Sequence, residues 1–140
     1  MSQENVEIVR RGFEAFQAGL AAGNPAAAID AGFTAPDAEW IMPPSTPGFR
    51  QVYKGRDGFI DFMRTWIEDF DDYSIELERV IDAGDDRVVG LFRQRGIGKG
   101  SGAPVEFHSG LVYELQDGQV VRMRNYLDPK EALEAAGLSE

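Results

Sequence analysis

The sequence has no cysteine and a single histidine, His108, in 140 residues. It therefore offers no disulfide framework, no thiol nucleophile and no thiolate metal site, and little from which to build a zinc or haem centre. Basic residues are also scarce: fourteen Lys and Arg face twenty-four Asp and Glu, for a formal net charge of −10. Such a chain repels phosphate on average, which argues against nucleic acid as a partner. Long hydrophobic runs are missing too. A bilayer span needs roughly 18 or more consecutive apolar residues, and here Asp, Glu or Arg interrupts every candidate within a few positions. Residues 1–11 include Glu4 and Glu7 and no apolar segment, so they do not read as a secretory signal. The expectation is one cytoplasmic domain over residues 1–140, with no membrane contact, metal or cofactor. Its chemistry would rest on carboxylates, Arg, Tyr, Asn and one imidazole.

Periodicity supplies the elements. Val6, Val9, Phe13, Phe16 and Leu20 recur at helical spacing, with Ser2 or Asn5 as a cap and Gly23-Asn24-Pro25 as the stop. A short Ala-rich helix over 25–31 follows, then a short strand over 38–42 that Pro43-Pro44 cuts off. Residues 43–55 hold three Pro and two Gly and read as a long loop. Phe59, Phe62, Met63, Trp66, Ile67 and Phe70 restore the helical period over about 56–70. The period then becomes two. Strands are expected over 73–82, 87–95, 105–115 and 119–127, the last two joined by Asp117-Gly118, a strong hairpin signal. Residues 96–102, with four Gly, read as a hairpin loop. A phosphate loop would lead into a helix, and here a strand follows. Asp128-Pro129 then opens a terminal helix that Gly137 ends. Glu68, Asp69, Asp71 and Asp72 lack the spacing of a calcium loop and read as a solvated helix end. Helices first and strands later predict an α+β fold with three N-terminal helices covering one face of a curved antiparallel sheet, plus a short C-terminal helix.

Four segments in this order resemble the SnoaL-like and ketosteroid-isomerase-like group of the nuclear transport factor 2-like superfamily. They are the first helix (residues 4–16), Tyr53-Lys54-Gly55-Arg56-Asp57-Gly58, Asp117-Gly118-Gln119-Val120-Val121 and Asn125-Tyr126-Leu127-Asp128. The resemblance implies a cone-shaped sheet with a pocket in its mouth, often in a homodimer. It leaves activity open, because the fold hosts isomerases, polyketide cyclases, epoxide hydrolases, dehydratases and binding proteins.

Strand alternation sorts the candidate site residues. Over 105–115, Val105, Phe107, Ser109, Leu111, Tyr113 and Leu115 share a mostly apolar face that should line the pocket, which turns His108 outward. An imidazole titrates near neutrality and would suit a base, so His108 is either that base or a residue of the outer face. Over 87–95, Val89, Leu91, Arg93 and Arg95 oppose Val88, Gly90, Phe92 and Gln94. Over 119–127, Val121, Met123, Asn125 and Leu127 oppose Val120, Arg122, Arg124 and Tyr126. The resemblance to the superfamily's epoxide hydrolases, whose Arg and two Asp point into the cone, matches those positions to Arg93, Arg95 and Asn125. Two carboxylates are thus missing, and water activation by that triad is not expected. The base position of the ketosteroid isomerases falls in Trp40-Ile41-Met42-Pro43, where Glu39 is out of register.

Arg93 and Asn125 would then polarise a carbonyl or carboxylate, or Arg93 and Arg95 would pair with acidic neighbours at the rim. Asp128 is a general acid or base, or a helix cap. Trp40, Tyr53, Trp66, Arg95, Phe107, Ser109, Leu111, Tyr113 and Met123 complete the expected wall. The expected ligand is a small hydrophobic carbonyl compound, isomerised, cyclised or dehydrated without a cofactor. The alternative is a non-catalytic ligand-binding or dimerisation protein on the same scaffold.

Overall fold

The computed structural model describes residues 2–138. Its elements run α1 (Ser2–Ala21), α2 (Ala27–Asp30), β1 (Thr34–Ile41), β2 (Val52–Lys54), α3 (Gly55–Ile67), β3 (Phe70–Gly84), β4 (Arg87–Gly98), β5 (Pro104–Gln116), β6 (Gln119–Tyr126) and α4 (Pro129–Ala135). Six strands form one curved sheet in the order β2-β1-β6-β5-β4-β3. Strands β3 to β6 make the expected antiparallel meander. Its two tight turns are built alike. Asp117 and Gly118 (φ 53° and 79°) and Asp85 and Asp86 (φ 55° and 59°) are left-handed pairs, the geometry that matches the twist of the flanking strands.

Several boundaries differ from the expected ones. Helix α3 ends at Ile67, and Phe70, Asp71 and Asp72, expected at its end, open β3. Strand β1 starts at Thr34 and pairs with β6 in parallel, with Trp40 opposite Met123. A parallel pair between distant strands has no connecting turn to announce it. Strand β2 lies inside the expected loop, placing Tyr53 opposite Trp40; three residues are too few to show a period. Strand β4 continues to Gly98, so the first part of the glycine-rich stretch is strand rather than loop.

The sheet is apolar on both faces. On the inner face, Val9 of α1 and Phe62 and Met63 of α3 join Trp40, Met42, Phe92, Leu111, Tyr113 and Met123 in one core. On the outer face, Ala132 and Leu133 of α4 and Ala136 just after it cover Val89 and Val112. That second contact depends on Gly110, where a Cβ would sit 2.6 Å from the Cβ of Ala132. Asp128 caps α4, its carboxylate accepting from the Lys130 N–H at 2.9 Å, and Pro129 takes the first turn. Asn5 does not cap α1. It lies within the helix, buried, and its amide donates to Asp86 Oδ1 at 3.1 Å, tying α1 to the β3–β4 turn. Among the described residues no helix is long and apolar enough to cross a membrane.

Candidate functional site

Between the inner face of the sheet and helices α1, α2 and α3 lies a cavity, with about 90 Å³ open to the centre of a water-sized sphere. One water needs roughly 10–15 Å³ on that measure, so the space suits a small organic molecule. Helical periodicity brings Phe13 and Phe16 of α1 and Phe59, Phe62 and Trp66 of α3 to the wall, and strand alternation brings Trp40, Phe92, Leu111, Tyr113 and Met123. The rings touch in a chain: Trp40 and Phe62 have centroids 4.6 Å apart, Trp40 and Phe59 5.2 Å, and Phe13 and Phe92 5.4 Å. Such tilted contacts hold the rings in fixed orientations.

Of the polar groups in the wall, Gln94, 4 % exposed, is fully engaged. Its Oε1 accepts from Trp66 Nε1 at 2.8 Å and from the Tyr73 hydroxyl, and its Nε2 donates to Ser109 Oγ at 2.8 Å. Asn125 Nδ2 and Trp40 Nε1 both donate to the thioether of Met42, at 3.2 and 3.4 Å. Among the described residues the wall has no Asp, Glu, His, Lys or Arg.

Burial pushes the hydroxyls of Tyr73 and Tyr113 well above the ordinary phenol range. Both are neutral hydrogen-bonding groups at any physiological pH. In an alkaline titration followed by phenolate absorbance, Tyr73→Phe and Tyr113→Phe are expected to leave the rise between about pH 9 and 11 unchanged. The folded chain holds these protons to higher pH than the unfolded chain does. Stability is therefore expected to fall as pH climbs past about 10, by up to roughly 1.4 kcal/mol per pH unit for each phenol.

The structure brings Asn125, Trp40, Trp66, Ser109, Leu111, Tyr113 and Met123 together at the cavity. Arg93 and Arg95 are corrected: β4 turns Phe92 and Gln94 inward and both arginines outward. Out there Arg93 Nε lies 3.0 Å from Glu76 Oε1 and Arg95 Nε 3.2 Å from Glu106 Oε1. The hydrogen bond from Arg93 holds the Glu76 carboxyl below its usual range. The reason is solvation, because an unpaired guanidinium in an apolar cavity would cost far more than one among surface carboxylates. No Arg93–Asn125 pair exists.

His108 lies on the same outer face, its Nε2 3.6 Å from Glu78 Oε1, so its role as a base inside the pocket is withdrawn. Asp128 is withdrawn likewise, since its carboxylate is spent on the cap of α4. Tyr53 is buried behind Phe62, with centroids 5.4 Å apart, and its hydroxyl accepts from the Arg50 N–H at 2.9 Å. Phe107 packs between Trp66 and Phe70, beside the cavity rather than in its wall. Gln94, Tyr73 and Thr34 are the polar wall residues not anticipated. The signal for Gln94 was its place between two arginines, since only one face of a strand can be buried where its neighbours are charged.

Residues 9–123 match the SnoaL-like domain, and the chain belongs to that family. No curated protein matches the chain. Solved structures do. An assigned SnoaL-like polyketide cyclase from Jannaschia sp. CCS1 is similar over 99 % of this chain and 94 % of its own, at 25 % identity and a TM-score of 0.71. TerC, crystallised with polyporic acid, is similar over 96 % and 98 %, at 19 % identity and a TM-score of 0.71. A protein of ketosteroid-isomerase-like fold from Catenulispora acidiphila, in complex with trimethylamine, is similar over 91 % and 92 %, at 15 % identity and a TM-score of 0.65.

Proposed function

We propose that this protein binds a small, uncharged, largely aromatic molecule in the cavity and supplies no side-chain base to it. The observation that carries this reading is the composition of the wall: rings and aliphatic groups with a few neutral hydrogen-bonding atoms, and among the described residues no ionisable group near neutrality. A carboxylate or ammonium ligand would lose its hydration there and gain no counter-charge. Proton-transfer chemistry needs an acceptor within hydrogen-bond reach of the substrate, and His108 and Asp128 are both elsewhere. Binding without turnover therefore fits the site better than isomerisation, cyclisation or dehydration.

Thermal unfolding in the presence of para-cresol, para-methylanisole and para-toluate tests the reading. Saturation at about a hundredfold excess over Kd adds roughly 2.7 kcal/mol to stability, so the two neutral compounds are expected to raise Tm while the carboxylate does not. A shift with para-toluate alone, or with none of the three, would sink it.

A further inference from the structure

The polar groups of the wall differ in what they leave unsatisfied. The Gln94 amide, the Trp66 indole, the Tyr73 hydroxyl and Ser109 satisfy one another. The Asn125 amide has a defined orientation. Met42 presents a thioether, which has lone pairs and no proton, and the Trp40 N–H already points at the same sulfur. The amide must therefore turn its nitrogen to Met42, as it does, which leaves Oδ1 free to face the other way. No donor among the described residues reaches that oxygen, although Asn125 is 7 % exposed and lines the cavity. Tyr113, equally buried, is in the same position: it lines the cavity and its hydroxyl has no partner there. Neither oxygen is sealed in protein, so both open on the cavity. Leu111 pairs with Asn125 and Tyr113 with Met123, which makes Asn125 and Tyr113 diagonal neighbours on one face, within reach of one small ligand.

A buried carbonyl oxygen without a donor costs about 1–3 kcal/mol, and a ligand removes that cost only if it brings a proton. We infer that the cavity selects ligands carrying a hydroxyl, of the phenol or enol class, whose O–H is accepted by Asn125 Oδ1 and whose oxygen accepts from the Tyr113 hydroxyl. This replaces the expected bare carbonyl, which has no proton for Oδ1. The inference rests on the binding reading above and adds to it a preference between two neutral ligands of nearly the same shape.

Isothermal titration calorimetry with para-cresol and para-methylanisole separates the two ideas, because the ether keeps the ring and the acceptor oxygen and lacks the proton. Para-cresol is expected to bind at least tenfold more tightly than the ether. Asn125→Leu should bring para-cresol down to the ether's affinity and leave the ether unchanged. Tyr113→Phe should weaken both compounds by a similar factor. Arg93→Ala, on the outer face, should change neither. Equal affinity for the two compounds, a preference that survives in Asn125→Leu, or a Tyr113→Phe variant that binds both as tightly as the wild type would overturn the hydroxyl preference and leave a binding cavity standing. No binding of either aromatic compound overturns the cavity reading and this inference with it. Should Asn125→Leu fail to fold by circular dichroism, the wild-type comparison and Tyr113→Phe still decide the matter.

Discussion

Phe62→Ala is expected to lower unfolding stability by about 3–5 kcal/mol, the range for removing a fully buried ring. Phe62 is 1 % exposed and stands at the hub of the ring cluster, with Trp40 at 4.6 Å, Tyr53 at 5.4 Å, and Phe49 and Trp66 each at 5.7 Å. With Phe59 at 6.3 Å, five rings would lose a neighbour at once, and Trp40 and Tyr53 cannot close in because the β1–β2 pairing fixes their backbones. In urea the midpoint should drop while the slope with denaturant stays the same, since the surface exposed on unfolding hardly changes. Phe62 also forms part of the cavity wall, so the void created adds to the binding space. A bicyclic phenol such as 2-naphthol should then gain affinity relative to para-cresol. Loss of stability without that gain would mean that the wall collapses into the hole.

The second large effect is expected at Gln94. Leucine at this position keeps most of the volume and removes an amide that serves three partners. Trp66 Nε1 retains the Tyr73 oxygen at 3.3 Å as a second acceptor, but the Tyr73 hydroxyl and Ser109 lose theirs. Two buried groups left unpaired, at about 1–3 kcal/mol each, give an expected loss of roughly 3 kcal/mol in chemical denaturation. Ser109→Ala in the Gln94→Leu background should recover part of it, because Gln94 is the side-chain partner of that hydroxyl and removing the stranded group also removes its cost. An additive double variant would show that the two side chains do not act as one network.

Much of this architecture can be read from residue order alone, for identifiable reasons. The α1 stripe is legible because the helix has one wet face, and the alternation of β5 because Glu106, His108 and Glu114 mark its outer side although α4 covers Gly110 and Val112 between them. For β5 that alternation places Ser109, Leu111 and Tyr113 at the cavity and His108 outside it. Strand β4 is harder, because Val89 and Leu91 are covered by α4 while Val88 and Phe92 face the inner core, so apolarity marks both faces. Matching by family position then put Arg93 and Arg95 on the wrong side. Strand β6 carries its own irregularity. Leu115 pairs with Val120 and Glu114 with Arg122, leaving Val121 bulged. Val120 therefore reaches the cavity even though two-residue counting from Met123 would turn it out. Asn125, beyond the bulge, keeps its inward face.

The parallel pairing of β1 with β6 sets the order in which the molecule can be completed. Thr34 lies opposite Val120 and Trp40 opposite Met123, so the wall on which Trp40 stands closes only when almost the whole chain is available. During synthesis the apolar stripe of α1, the rings of α3 and the open edge of β1 must wait for a strand made near the end. Contacts of such long sequence separation are slow to form, and uncovered apolar surface invites association meanwhile. Chains that stop short of Gln119 should therefore be the ones that engage chaperones or aggregate, whereas those that lack only α4 should still enclose the cavity.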